Sequence, residues 1–235
     1  MKKATIEEIR KRFDNNVEEF SNLTEGQTSV VDAEVSLDIA AETVKRITPG
    51  ALDLLDVGCG AGNYTLAVLS KMPDLNCTLL DLSERMLNRA FERVSKKTKG
   101  VVKRVQSDVR TTELKENHFD IILSGAVLHH LRDDKDWEGV FSKLYKLLKA
   151  SSCLIISDFV AQDNDLLTEY MREKYMSYLK ETAGEKYSRE IFNCIAKNDT
   201  PRSMTYQLEL MKKVGFRSFE ILHKNMCFGT FCAVK

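Results

Sequence analysis

Apolar residues along this chain follow two different periods, and the points where one gives way to the other outline an architecture. Short apolar runs at Leu52–Val57, Leu79–Asp81, Val101–Val109, Phe119–Leu131 (strand plus following loop) and Cys153–Asp158 read as buried strands. Segments of helical character lie between them, beginning near Asn63, after Asp81, and across Asp133–Ala150. Strand and helix in alternation mark a parallel sheet covered on both faces, with ligands at the carboxyl ends of the strands. Upstream, residues 4–20 place Ile6, Ile9, Phe13, Val17 and Phe20 at three- and four-residue steps, which predicts an amphipathic helix. A second helix is predicted over 30–47 on Val31, Val35, Ile39, Val44 and Ile47, stopping at Pro49-Gly50. The polar stretch Ser21–Ser29 between them predicts a mobile loop. Residues 163–196 break the alternation with a charged helical sequence carrying Tyr170, Tyr175, Tyr178 and Tyr187, the natural place for a substrate lid. A helix over 204–214 capped by Gly215, then Phe216–His223 and Met226–Val234 as an antiparallel strand pair, close the chain.

The first strand runs into Asp56-Val57-Gly58-Cys59-Gly60-Ala61-Gly62-Asn63. Glycines here let the main chain approach a ligand, and the next helix points its N–H groups into the same space. Asp81 ends the second apolar run about twenty residues on, where a carboxylate suits the two hydroxyls of a ribose. A nucleoside-containing cofactor follows. The spacing Gly-x-Gly-x-Gly differs from the dinucleotide Gly-x-Gly-x-x-Gly, and no Gly-Lys-Ser/Thr follows as in a phosphate-binding loop. Asp56 beside the loop would repel a pyrophosphate but suits an ammonium or sulfonium.

That combination resembles the S-adenosylmethionine (SAM) site of class I methyltransferases, whose first motif reads Asp/Glu-x-Gly-x-Gly-x-Gly. Asp81-Leu82-Ser83-Glu84-Arg85-Met86-Leu87 is similar to the family's second motif. The resemblance implies that Asp81 takes the ribose hydroxyls while Leu82 and Met86 flank the adenine. It also implies that Asp108 accepts from the adenine amino group and that the backbone N–H of Val109 meets a ring nitrogen. Ser124, at the end of the fourth strand, leads into the loop below the sulfonium, and Tyr64 is a candidate contact for the methionine moiety. Asp56, Gly58, Cys59, Gly60 and Gly62 complete the expected cofactor set. The implied fold is α/β: a Rossmann-like, seven-stranded, mostly parallel sheet with an antiparallel C-terminal strand, helices on both faces, N-terminal helices and a helical lid insertion. We expect one domain over 1–235, with an N-terminal helical segment (1–48), a SAM-binding core (50–160), a lid (161–203) and a C-terminal helix and strand pair (204–235). An N-terminal segment of this kind often folds over the cofactor in the family; simple packing on the sheet edge is the alternative. The C-terminal stretch also resembles carboxy-SAM synthase, an enzyme that supplies tRNA wobble-uridine modification and pairs a lid arginine with its extra carboxylate. Arg189 and Arg202 lie in the corresponding region without a matching motif.

Composition narrows the partners. Lys and Arg number 35 against 35 Asp and Glu, so no basic excess marks a nucleic-acid footprint. Lys96, Lys97, Lys99, Lys143, Lys146 and Lys149 read as solvated faces. The six cysteines include no Cys-x-x-Cys pair and read as reduced thiols of a cytoplasmic protein. Adjacent His129 and His130 are expected to project in different directions, so no metal site is predicted. No signal peptide and no membrane-spanning apolar run are seen. The expected partner is a small-molecule acceptor, with nucleic acid and membrane disfavoured and a homodimer open.

Methyl transfer needs an aligned nucleophile and excluded water, and a base only where the acceptor must lose a proton. The element Asn/Asp-Pro-Pro-Tyr of exocyclic base-amine methylases is missing. His129 and His130, after the fourth strand, are the catalytic candidates; the alternative is that one merely anchors the loop. Tyr170, Tyr175 and Tyr178 either line an acceptor pocket or simply pack. The expected activity is SAM-dependent methylation of an O, N or C nucleophile on a small molecule, releasing S-adenosylhomocysteine. Carboxy-SAM synthesis, a nicotinamide oxidoreductase and a non-catalytic SAM-binding protein are the rivals.

Overall fold

The computed structural model describes residues 2–22 and 28–235. Most of the predicted Ser21–Ser29 loop lies outside the described residues. One sheet contains β1 (Asp53–Val57), β2 (Asn76–Asp81), β3 (Val102–Gln106), β4 (Phe119–Gly125), β5 (Leu148–Phe159), β6 (Ser218–Asn225) and β7 (Phe228–Val234). The strand order is β3-β2-β1-β4-β5-β7-β6, with β1 to β5 parallel and β7 antiparallel to both of its neighbours. This is the mostly parallel, Rossmann-like sheet expected from the alternation.

Consecutive apolar residues in the central strands serve opposite faces, which is why these strands read as unbroken runs. Leu54, Ile121 and Ile155 pack under α3 (Ala33–Ile47), α4 (Asn63–Lys71) and α5 (Glu84–Val94). Leu55, Ile122 and Ile156 pack under α6 (Asp134–Leu147) and α8 (Met204–Val214), around the buried Trp137, Phe141 and Met211. Gly215, at φ +112°, closes α8 as predicted. The face of α3 differs from expectation. Its buried stripe is Leu37, Ala40, Ala41 and Val44, while Val35 is exposed. Small alanines allow close approach to α4 and the sheet, and a stripe drawn through the larger β-branched residues is rotated away from it.

The N-terminal helix is also broken. Asn16 separates α1 (Ile6–Asn15) from α2 (Val17–Ser21), and Thr5 and Glu8 form a capping box at the start of α1. The α1 segment is tied down at both ends. Ala4 N–H donates to Lys197 O at 2.9 Å, Arg132 donates to Ala4 O at 2.8 Å, and Ser83 Oγ donates to Asp14 at 2.6 Å. The lid helix α7 (Asp165–Asn198) breaks at Gly184, where φ is +87° and ψ 168°, so its two halves fold against each other with Tyr175 and Phe192 ring centroids 5.6 Å apart.

Two of the lysines read as solvated are structural. Lys149 sits on β5 and bridges Asp53 and Asp120 at 3.2 and 2.9 Å. Lys143 Nζ donates to the carbonyls of Val109, Arg110 and Thr112 at 2.8–2.9 Å, gathering the turn after β3. Lys143→Ala orphans these acceptors, and chemical denaturation should show a loss of about 1–3 kcal/mol. Lys96→Ala should stay within about 0.5 kcal/mol of the parent; equal effects of the two would refute the turn-holding role.

Candidate functional site

The parallel strands end along one edge, and two chambers with shared walls open there. The first is lined by Asp81, Leu82, Met86, Asp108 and Val109 from the β2 and β3 ends, and by Ile6, Ile9 and Phe13 from α1. Thus the N-terminal segment lies over the strand tips, the first of the two placements considered for it. The second chamber is walled in part by α7 and is lined by Asp56, Cys59, Tyr64, His129, Asp158 and Asp199, with Phe159, Tyr175 and Phe228 among its walls. Gly58, Gly60, Gly125, Ala126 and His130 line both chambers and so mark their junction.

The glycine loop is shaped by contacts at atomic range. A Cβ on Gly58 would lie 2.3 Å from Val127 Cγ2, and its φ of +63° is itself unfavourable for other residues. Gly62 has a different task from the one expected. It lines neither chamber; at φ +83° it starts α4, and a Cβ there would press on Val94 and Ala90 of α5. Ser124 is likewise buried below the strand tip and lines neither chamber, its Oγ without a hydrogen-bond partner among the described residues.

The carboxylates are held in distinct ways. Asp81 accepts from the backbone N–H of Gly60 at 2.9 Å and of Ser83 at 2.8 Å, stitching the glycine loop to the β2 tip. Burial pushes its pKa up to about 6. Asp56 accepts from Thr65 Oγ1 at 2.6 Å, and burial, with Asp81 nearby, pushes it up to about 7. Among the described residues no cation pairs with this carboxyl. Asp108 works against its own burial through Arg110, whose guanidinium grips it at 2.6–3.1 Å and also reaches Asp136 at 3.0 Å; its pKa is lowered. Arg110 carried no signal in the sequence beyond its place two residues after Asp108.

His129 and His130 occupy a single 3-10 turn, Leu128–His130, after β4. They do not diverge as expected of neighbours in sequence, because the tight turn brings their ring centroids to 4.2 Å. His129 Nδ1 lies 2.5 Å from Asp158 Oδ1, its backbone N–H donates to Asp158 Oδ2 at 3.0 Å, and its Nε2 is 3.8 Å from Asp199 Oδ1. His130 Nδ1 lies 3.1 Å from the same Asp199 oxygen. The closest ligand-type atoms of His129, His130 and Asp199 fall within 4.8 Å of one another. Asp158 stands at the tip of β5, where the strand-end rule could have flagged it. Asp199 follows α7, and nothing in its local sequence announces it. Arg189 and Arg202 line neither chamber: Arg189 faces Glu185 on the lid surface and Arg202 pairs with Asp134.

Comparison with known proteins agrees with this geometry. A family described as "Methyltransferase domain" matches residues 55–154. A carboxy-S-adenosyl-L-methionine synthase of Campylobacter jejuni subsp. doylei is 26% identical over 211 residues, covering 85% of this chain and 84% of that protein. Phosphoethanolamine N-methyltransferase of Plasmodium falciparum is 28% identical over 177 residues, covering 73% of this chain and 62% of its own length. Among solved structures, phosphoethanolamine N-methyltransferase 2 of Haemonchus contortus in complex with S-adenosyl-L-methionine superposes with a TM-score of 0.59 at 18% identity, over 93% of this chain and 60% of that one.

The raised Asp56 carboxyl makes a stability prediction. Its folded pKa of about 7 exceeds the unfolded value of about 3.9, so the folded state binds the extra proton between them and stability falls as pH rises through that interval. Asp56→Asn keeps an acceptor for Thr65 and removes this penalty. The ligand-free variant should gain stability over the parent by calorimetry, with the gap widening from about pH 5 to about pH 8 towards at most ~4 kcal/mol. A gap independent of pH would rule out the assignment.

Proposed function

We propose that the chain is a class I S-adenosylmethionine-dependent methyltransferase that methylates a small-molecule O, N or C nucleophile held under the lid. The observation that carries this reading is the pair of chambers meeting at Gly58, Gly60, Gly125 and His130. One chamber has the carboxylates and apolar walls for an adenosine; the other has the room, the histidines and the aromatic walls for an acceptor. Some relatives point the same way, while others are named carboxy-S-adenosyl-L-methionine synthases. Phosphoethanolamine N-methyltransferases and a malonyl-[acyl-carrier protein] O-methyltransferase of Paenibacillus, 27% identical over 157 residues, are named for small or carrier-bound acceptors.

Bound at the junction, SAM supplies a methyl group on a sulfonium that leaves as a neutral thioether. The protein's residues position and enclose. We assign Asp81 to the ribose hydroxyls, Leu82 and Met86 to the adenine faces, and Asp108 with the Val109 N–H to the adenine edge. Asp56, Cys59 and Tyr64 line the methionine end, where Tyr64 lies so close over Gly125 that a Cβ there would sit 2.3 Å from its ring. The α1 segment and the lid exclude water, which strengthens every electrostatic contact within. His129 and His130 are assigned to the reacting centre. Carboxy-SAM synthesis is less well supported, because Arg189 and Arg202 line neither chamber. Among the described residues no helix is long and apolar enough to cross a membrane. Cys59, Cys77, Cys153, Cys227 and Cys232 are buried as small apolar residues, which supports placement in the reducing cytoplasm.

Asp81→Ala removes both a ribose partner and the tie to Gly60. Calorimetric affinity for SAM and S-adenosylhomocysteine should fall about 100-fold or more, while circular dichroism stays native. Asp108→Ala should lower affinity about 10-fold. Unchanged binding in the Asp81 variant would sink the adenosine assignment.

A further inference from the structure

The turn after β4 and the residue after α7 bring three metal-ligand atoms to one place. His129 Nε2 lies 3.8 Å and His130 Nδ1 3.1 Å from the same oxygen of Asp199, and the three atoms fall within 4.8 Å of one another. Asp199 is 8% exposed, and its Oδ1 is buried without a hydrogen bond among the described residues, so neither imidazole contact is one. A carboxylate oxygen in that condition is costly unless a cation stands beside it. Adjacent histidines are expected to diverge, which argues against a metal site in the sequence; the 3-10 turn removes that objection by bringing the rings together.

His129 shows which cation fits. Its Nδ1 lies 2.5 Å from Asp158 Oδ1, and because a carboxylate only accepts, Nδ1 carries the proton. Asp158 Oδ2 accepts the backbone N–H of the same residue at 3.0 Å, so the imidazole is oriented from two points. The other nitrogen, Nε2, then has its lone pair for Asp199, at a distance too long for a hydrogen bond. Carboxylate, imidazole and metal in sequence is the usual way a histidine ligand is held. Bonds of about 2.0–2.2 Å to nitrogen and oxygen set neighbouring ligands about 3.3 Å apart in a tetrahedral shell. The two separations from Asp199 fall on either side of that value. His130 Nε2 makes no hydrogen bond among the described residues, so that ring is free to turn the remaining distance. The chains that carry the ligands are fixed to one another: Thr200 N–H donates to His129 O at 2.7 Å, and Lys3 Nζ donates to Asp199 O at 2.5 Å.

We propose that His129 Nε2, His130 Nδ1 and Asp199 Oδ1 bind a divalent transition-metal ion of the zinc class, with Asp158 orienting His129 from behind. Two imidazoles and a carboxylate favour such an ion over magnesium or calcium, which take shells of oxygen. Charge agrees, since Asp158 and Asp199 together offset a doubly positive ion while both imidazoles stay neutral. Arg12 lines the same chamber without donating to Asp199 Oδ1. Three protein ligands leave a further position for water or a substrate atom, and all three residues line the second chamber, from which it would be filled. An acceptor oxygen or nitrogen held there would be favoured in its deprotonated form by the ion acting as a Lewis acid. That use rests on the methyl-transfer reading; the ion site itself does not.

The test is titration of the chelator-dialysed protein with cobalt(II), followed by displacement with zinc(II). One cobalt per chain should bind, with the visible bands of a four- or five-coordinate nitrogen and oxygen site and no thiolate charge-transfer band. Asp199→Asn and His129→Gln should each weaken binding of both ions about 100-fold or more. Asp158→Asn leaves all three ligands in place and should weaken it about 10- to 100-fold, a loss that a merely packed ring would not produce. His118→Gln, just before β4 and so at its other end, should bind as the parent does. Where Asp199→Asn does not fold by circular dichroism, His130→Gln and Asp158→Asn decide. Absence of saturable binding at one ion per chain, parental affinity in the Asp199 and Asp158 variants, or a thiolate band from a nearby cysteine such as Cys194 overturns the proposal. Tight cobalt binding by a chain that binds neither SAM nor S-adenosylhomocysteine would support the ion site and count against the methyl-transfer reading.

Discussion

Burying carboxylates in one cleft is unfavourable unless each finds a proton, a donor or a cation, and the arrangement around the strand tips is a set of answers to that constraint. Asp56, Asp81, Asp158 and Asp199 are all more than nine-tenths buried. Asp81 meets two backbone N–H groups, Asp56 meets a threonine hydroxyl, and Asp158 and Asp199 share a histidine between them. The first two retain raised pKa values, a sign that donors alone do not balance their burial. Both stand at the cleft, where a ligand's donors or positive charge can reach them. The second pair is met within the protein, by the His129 ring.

Enclosure follows from how the chain ends are tied. The segment before α1, the end of α7 and the turn after β4 meet through Lys3, Ala4, Arg132 and Thr200, with Thr200 N–H donating to His129 O at 2.7 Å. Lid, N-terminal helix and histidine turn are thereby one mechanical unit. A site that must admit a cofactor and then exclude water needs such coupling, because a loose cover would leave the nucleophile solvated.

The sheet and the residues at its strand tips were legible in the sequence for a simple reason: both are written in local terms. Burial on two faces produces unbroken apolar runs, and a strand tip that meets a ligand ends in glycine or aspartate within a few residues. Gly58, Gly60, Asp81 and Asp108 could therefore be placed before any coordinates. Gly62 fits the same motif, yet its small size serves the packing of α4 on α5, a distinction that spacing alone does not carry. The lysine faces went astray similarly, since Lys143 and Lys149 look like any surface lysine until the carbonyls and carboxylates they gather are brought within 3.2 Å.

The amino-acid order by itself determined the alternation of strands and helices, the tips at which a nucleoside could lie, and the presence of two imidazoles beside them. Only the tertiary structure decided what those imidazoles are. Asp158 and Asp199 lie 29 and 69 or more residues from the histidines they face, and protonation depends on distance in space. Periodicity reports which side of an element is buried; it holds no information about which charge from a remote segment will arrive opposite.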